Sequence, residues 1–547
     1  MQNSNRYYIY LVIAGALLYI PFLGGVHLFD WDEINFAESA REMIMSGDFL
    51  TVQIDFKPFW EKPPLFIWMQ VVSMKIFGIN EFAARFPNAV CGIVTLLVLY
   101  NAGKKLISEK FGIIWSILYG ISFLPFIYFK SGIIDPWFNL FIFLGIYNFM
   151  MFYRRKETES GWLFLIMSAL FTGLSVLTKG PVGLLIFGMV SLVYVMTDRF
   201  RLKMKLKHFL TWLVVFSFAG GLWFLMLVIS GNALIIREFF EYQVRLFRTE
   251  DAGHGGFLLY HFVVILFGVF PSSILAISTM FTKQEDNAFI KYYKTWMNIL
   301  FWVVLILFTI VKTKIVHYSS MAYFPLTFFA ALTVYKLMES KIKINRIALT
   351  LLIAVAFFWA ASLSALPVID AYKYLIIDSG IIKDMFASAN LTADVKWTFF
   401  EPFIALLFLT TVIRAAFNLN KKAKKSITAL GLATIGFIIF FIYIVTPRIE
   451  LYSQNAAIEF FKSKKGEDVY VRNLGYKSYA PLFYSEKSKQ SSMISQDTLL
   501  SGYITKDAYF VFKNTRKDEI FSKHPNLKLI KEENGFVFAK RENTLKK

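Results

Sequence analysis

A chain of 547 residues that is 56% hydrophobic and 18% aromatic, with a mean hydropathy of +0.53, is far more apolar than a water-soluble domain of that length, and it reads as an integral membrane protein. The formal charge of +20 does not mark a nucleic-acid partner, because the basic residues fall in short clusters between apolar runs and not along one exposed stripe or tail. The single cysteine, Cys91, lies inside an apolar run, which excludes a disulfide framework and a cysteine-based metal cluster.

The first element, MQNSNRYYIYLVIAGALLYIPFLGG, has the outline of a signal peptide. Its AGA lies in mid-run and many apolar runs follow, so an uncleaved first helix is expected. A bilayer core of ~30 Å needs about 20 apolar residues per helix, and on that criterion about thirteen spans are expected. They lie near 8–25, 86–103, 112–130, 134–152, 161–178, 180–197, 208–229, 257–281, 296–312, 317–336, 346–366, 399–418 and 427–446. GKKLISEK, RRKE, DRFRLKMKLK, KQEDNAFIKYYK, KLMESKIKINR and NLNKKAKK all fall in even-numbered connections. That parity makes them cytoplasmic, with the N-terminus inside. The long loops 26–85, 230–256 and 367–398 are then external.

Polar punctuation gathers in those outer connections. FDWDEINFAESAREM, 29–43, reads as the start of a helix. Asp30 and Glu33 are spaced as a capping box, Ile34, Ala37 and Ile44 share a side, and Gly47 is the stop. Glu38 and Arg41 are spaced to pair, Glu42 is expected to be solvated, and Asp32 is either a first-turn acid or a working carboxylate. In FWEKPPL, 59–65, two prolines fix an extended entry to an amphipathic stretch suited to the membrane surface. Lys62 is thereby placed either to snorkel or to meet a lipid phosphate. GIIDPW, LTKGPVG and KTKIVHY add Asp135, Lys179, Lys314 and His317 to the same face. YQVRLFRTEDAGHGG adds Arg245, Arg248 and His254, the last a candidate metal ligand together with Glu61. Six loops on one face are suited to lining a single cavity. After about residue 447 the chain turns polar, with helix-like NAAIEFFKSKK and strand-like DVYVR, AYFVFK and FVFAK. This reads as a small outer α/β domain, 447–547, following a transmembrane domain, 1–446.

Taken together, the Asp-Glu pair opening an AESAREM helix, EKPPL about thirty residues on, LTKGPVG, a basic loop ending in His and KTKIVHY resemble one family. It is that of the bacterial polyprenyl-phosphate-sugar-dependent glycosyltransferases, relatives of protein O-mannosyltransferases and of the aminoarabinose transferase that modifies lipid A. The likeness covers most of residues 1–446. It implies a GT-C fold, an all-α polytopic core whose cavity lies between membrane and outer loops. It also implies that Asp32 is the general base with Glu33 beside it, and that Lys62 binds the donor phosphate, helped by Arg245, Arg248 or Lys314. Asp135, Lys179 and His317 would be further cavity residues, and a divalent metal between Glu61 and His254 would be an optional organiser of the loops. Where the aminoarabinose transferase has an arginine three residues beyond the aspartate, this chain has Asn35, a departure that weakens the inference of the same phosphate contacts and the same sugar.

The expected reaction moves a sugar from a polyprenyl phosphate to a lipid or protein acceptor with inversion, on the outer face of a bacterial inner membrane. No cofactor is required. One base is enough for this, and no nucleotide-binding Gly-rich loop is needed. The competing readings are a transporter or flippase of lipid-linked molecules, and a C-terminal binding module on a membrane anchor.

Overall fold

The computed structural model describes residues 2–30, 32–155, 159–199, 204–249, 255–281 and 286–544. Among them nine helices are long and apolar enough to cross a membrane. A tenth span results if Tyr260–Gly268 and Ser272–Met280, bent by 109° at the break between them, count as one. The protein is a multi-pass membrane protein. The thirteen expected stretches are all helical, but fewer qualify as spans. Residues 112–130 divide into Glu109–Gly120 and Phe123–Tyr128, residues 180–197 are the 16-residue helix Val182–Thr197, and the first helix ends at Tyr19. Sixteen residues rise only about 24 Å, and Pro125 and Pro271, which lack an amide donor, lie at or beside the breaks. Composition alone registers neither effect.

The helices are held by aromatic packing and by close backbone approach. Trp115, fully buried, lies edge-on to Phe143 and Phe328 and donates its indole N–H to Thr327 Oγ1 at 3.1 Å. Helices Glu159–Lys179 and Leu206–Ile229 meet at Gly173 and Gly220, where a Cβ added to Gly173 would come within 2.6 Å of Ala219 Cβ. Small residues at a membrane helix interface permit this approach.

Between the first helix and Glu81–Leu106, the connection forms the helix Asp32–Ser46, a short hairpin (β1, Gln53–Ile54; β2, Lys57–Pro58) and the helix Leu65–Phe77. The long C-terminal apolar helix runs through residue 447 to Leu451. Beyond it lies a four-stranded sheet of β3 (Tyr470–Leu474), β4 (Ala508–Lys513), β5 (Lys528–Glu533) and β6 (Phe536–Arg541), in the order β3-β4-β6-β5. β3 and β4 are parallel and the other pairs antiparallel.

A second hydrophobic core joins this C-terminal region to the connection before Glu81–Leu106. Ile34, Ala37, Met43, Ile67 and Val71 pack with Phe461, Phe483, Tyr484 and Phe538. Burying such a side chain stabilises by roughly 1.5–3 kcal/mol, so the C-terminal region is a structural support for Asp32–Ser46. Polar contacts lock the seam. The Tyr484 hydroxyl accepts the Leu28 N–H at 2.7 Å, and Arg41 donates to the Lys487 carbonyl at 2.9 Å. The expected Glu38–Arg41 pair forms, fully buried, with two bonds of 2.7 Å. Glu42, expected in solvent, is instead buried and accepts the Phe56 N–H at 2.8 Å, because the hairpin and the C-terminal region cover this helix on the side that the sequence pattern leaves polar.

Candidate active site

The acidic end of the site is built from helix termini. Asp32 opens Asp32–Ser46, Asp135 opens Asp135–Arg155, and Lys179 closes Glu159–Lys179. Acids at N-termini and a lysine at a C-terminus each meet the favourable end of a helix dipole. The turn after Lys179 requires Gly180, at φ +101°, where an added Cβ would lie 2.6 Å from Phe239 Cζ. Lys179 Nζ lies 2.6 Å from Asp135 Oδ1. On the other side of that carboxylate, His317 Nε2, from the 3-10 turn Val316–Ala322, is 3.8 Å from Asp135 Oδ2 and 3.7 Å from Asp32 Oδ2. Asp135 is 3% exposed whereas Asp32 is 39% exposed, so Asp32 is the carboxylate presented to the space beyond.

That space is a cavity of about 950 Å³, at the upper end of the range for ligand sites. Asp32, Glu61, Lys62, Asp135, Lys179, Arg245 and His317 line it together with apolar side chains such as Phe22, Leu124, Phe308 and Phe441. A basic wall stands around Tyr242. The Lys62 ammonium lies 5.2 Å from its ring centre, the Arg245 guanidinium 5.1 Å, and Trp60 packs edge-on at 5.4 Å. Burial depresses the Lys62 pKa. The negative charges of Glu61, Asp32 and Asp135 oppose that shift, while Lys179 adds to it.

Glu33 is placed differently from its neighbour. Its carboxylate accepts Arg85 Nε at 3.0 Å and Nη2 at 2.7 Å, the Phe29 N–H at 2.9 Å and the Gly132 N–H. Arg85 also donates to the Leu23, Val26 and His27 carbonyls, each at 2.8 Å. The capping box expected between Asp30 and Glu33 is therefore replaced. Glu33 takes the Phe29 amide, and the Asp30 carboxylate takes the Tyr479 N–H at 3.3 Å from the C-terminal region.

Of the expected phosphate helpers, Arg245 lines the cavity and Arg248, in the same last turn, does not. Lys314 also stays outside. Its ammonium donates to the Phe308, Thr309 and Val311 carbonyls at 2.6–2.9 Å and so caps the end of Ala288–Ile310. Glu61 is on the cavity wall, while His254 lies outside the described residues. Among the described residues no three His, Cys, Asp or Glu side chains converge on a metal-binding geometry. Sequence reasoning missed Tyr242, Arg85, Lys130 and Lys477. Tyr242 and Arg245, three apart on an amphipathic helix, were detectable by spacing. Lys130, which donates to the Pro21 carbonyl at 2.5 Å, and Lys477, which reaches the cavity from the C-terminal region, depend on contacts between distant parts of the chain.

Residues 61–224 match the family model described as dolichyl-phosphate-mannose-protein mannosyltransferase. An uncharacterised protein of Aquifex aeolicus is 28% identical over 58% of this chain and 61% of its own length. The undecaprenyl phosphate-alpha-4-amino-4-deoxy-L-arabinose arabinosyl transferase of Pectobacterium atrosepticum is 26% identical over 59% and 58%. The chain thus spans about three-fifths of the length of the curated relatives it matches. Among solved structures, ArnT from Cupriavidus metallidurans bound to undecaprenyl phosphate superposes with a TM-score of 0.75 at 16% identity, covering 98% of each chain. By fold over its whole length this chain is similar to ArnT, and by sequence over part of its length it is similar to the mannosyltransferase family model and to the arabinosyl transferases.

Proposed function

We propose that the protein is an inverting glycosyltransferase that moves a sugar from a polyprenyl phosphate to lipid A or another surface glycolipid, on the outer face of a bacterial inner membrane. The observation that carries this reading is one cavity joining a partly exposed carboxylate, Asp32, to a basic aromatic wall of Lys62, Tyr242 and Arg245 and to an apolar lining. The apolar lining suits a prenyl tail, and the basic wall suits its phosphate. The likeness in fold to a protein solved with undecaprenyl phosphate supports the same donor class. Residues 1–446 would carry the transfer, 447–547 would be periplasmic, and the N-terminus cytoplasmic. The name of the matched family model favours secreted proteins as the second choice of acceptor.

In this mechanism Asp32 takes the proton of the acceptor hydroxyl as its oxygen attacks the anomeric carbon. The bond from that carbon to the phosphate oxygen breaks on the opposite face, and the configuration inverts. Lys62 and Arg245 meet the charge of the departing phosphate. Glu33 is a positioning residue, because its oxygens are committed to Arg85 and two backbone amides. No step is assigned to a metal.

The test is transfer by purified protein with undecaprenyl-phosphate-linked aminoarabinose or mannose as donor, and lipid A or secreted protein as acceptor. The Asp32→Asn variant is expected to lose transfer while keeping its fold and donor binding. Transfer at near the original rate by that variant would remove Asp32 as the base. Wild-type protein that carries lipid-linked sugar across a bilayer without transferring it would establish the transporter reading instead.

A further inference from the structure

A base that acts in every turnover must also be emptied of its proton, and the surroundings of Asp32 contain one group suited to receive it. His317 Nε2 stands between two carboxylates, 3.7 Å from Asp32 Oδ2 and 3.8 Å from Asp135 Oδ2. Both distances exceed a hydrogen bond, as expected where catalytic contacts tighten only with substrate present. Asp135 is a poor acceptor for that proton, because Lys179 holds its other oxygen at 2.6 Å and it is almost fully buried. Its negative charge is nevertheless placed to stabilise a cation on His317. The turn that presents the imidazole is fixed. Ser320 donates its hydroxyl to the His317 carbonyl at 2.5 Å, and Ser320 Oγ accepts Asn139 Nδ2 at 2.7 Å.

Resting on the glycosyltransfer reading, we propose that His317 relays the proton away from Asp32 after each transfer. When sugar transfer is complete, the O–H bond on Asp32 breaks and an N–H bond forms at His317 Nε2. Asp135 balances the resulting imidazolium, which then gives its proton to water in the cavity, to which His317 is 13% exposed. An imidazole is ordinarily a stronger base than a carboxylate, so it can take the proton from a carboxylic acid. The charged groups acting on the ring are Asp135, Lys179, Asp32 and Lys62, two of each sign, and Tyr318 packs beside it at 5.4 Å. If His317 must be neutral to accept the proton, turnover falls as pH drops through the imidazole range, before the base itself is protonated.

The experiment is a pH profile of kcat, with donor and acceptor KM, for wild type, His317→Gln and His317→Asn, using the donors and acceptors of the transfer assay. The expected result is a 10- to 100-fold loss of kcat at pH 7, with both KM values within about twofold of wild type. The acidic limb should lie at lower pH in the variants than in wild type. A variant that keeps full kcat overturns the relay, and so does one whose kcat falls while its acidic limb stays where it was. Wild-type protein that transfers neither sugar overturns the glycosyltransfer reading itself, a result distinguishable from failure of the relay alone.

Discussion

At the residue scale, the adjacent acids Asp32 and Glu33 separate into different roles, and the difference is measurable. Asp32 is partly exposed to the cavity, whereas Glu33 balances the buried Arg85. Removing one member of a buried ion pair costs about 3–5 kcal/mol. Glu33→Gln should therefore lower the unfolding midpoint in detergent clearly, while Asp32→Asn leaves it nearly unchanged and abolishes transfer. Lys62 carries a second prediction. A charge-assisted hydrogen bond to a phosphate contributes about 1.5–3 kcal/mol, so Lys62→Met should weaken binding of undecaprenyl phosphate roughly 10- to 100-fold. Because burial depresses the Lys62 pKa, the ammonium loses its proton below the ordinary lysine range, and phosphate affinity should fall with rising pH before that range is reached. Lys62→Arg, whose guanidinium stays charged, should remove that alkaline loss. An identical alkaline profile in both proteins would exclude Lys62 as its source.

At the scale of the element, Asp32–Ser46 looks amphipathic in the sequence, yet its polar face is buried. Burial and the neighbouring Glu38 carboxylate push Glu42 up to about 9, so at neutral pH it is protonated. A carboxyl raised in the folded state contributes its full stability below the unfolded pKa near 4.5 and loses it as pH rises toward 9. Glu42→Gln keeps an acceptor for the Phe56 amide and removes that loss. Stability of the variant should match wild type near pH 4 and exceed it by roughly 4–5 kcal/mol near pH 8, as read from unfolding midpoints across that range. Equal midpoints at both values would mean that Glu42 is ionised in its seat. The sequence contains this helix, its Glu38–Arg41 pair and the helical nature of the membrane stretches, since all three depend on spacing along the chain. Two features escape it. The Glu42 carboxylate is seated by the hairpin amide of Phe56 while its neighbour Arg41 is held by Lys487, more than four hundred positions away, and the broken spans depend on where single prolines fall. The candidate site divides in the same way. Asp32, Lys62, Asp135, Lys179 and His317 lie in short motifs and meet in the cavity, whereas Lys314, in an equally suggestive motif, is taken up by three carbonyls at a helix end.

For the molecule as a whole, the C-terminal region is continuous with the site. It packs on Asp32–Ser46, its Tyr479 amide meets Asp30, and Lys477 reaches the cavity wall. The connection that holds Asp32–Ser46 answers with the tip of its hairpin. Asp55 and Phe56 have φ of +58° and +55°. The Asp55 carboxylate accepts Lys487 Nζ, accepts the Ser492 hydroxyl at 2.6 Å, and lies 3.5 Å from Arg472 Nη1. Asn tolerates positive φ as Asp does, so Asp55→Asn tests the charge without straining the turn. Lys487, 5% exposed on its side chain, would lose its counter-ion. Full loss of a buried pair costs about 3–5 kcal/mol, and the partial exposure of Asp55 brings the expected cost to about 2 kcal/mol. If the seam supports the site, the stretch 452–454 before the helix Asn455–Ser463 should become easier to cleave with a protease. The acceptor KM should rise several-fold while affinity for undecaprenyl phosphate, which the proposed mechanism rests on Lys62, stays constant. A variant that resists cleavage like wild type and keeps its acceptor KM would show that the cavity holds its shape without this contact.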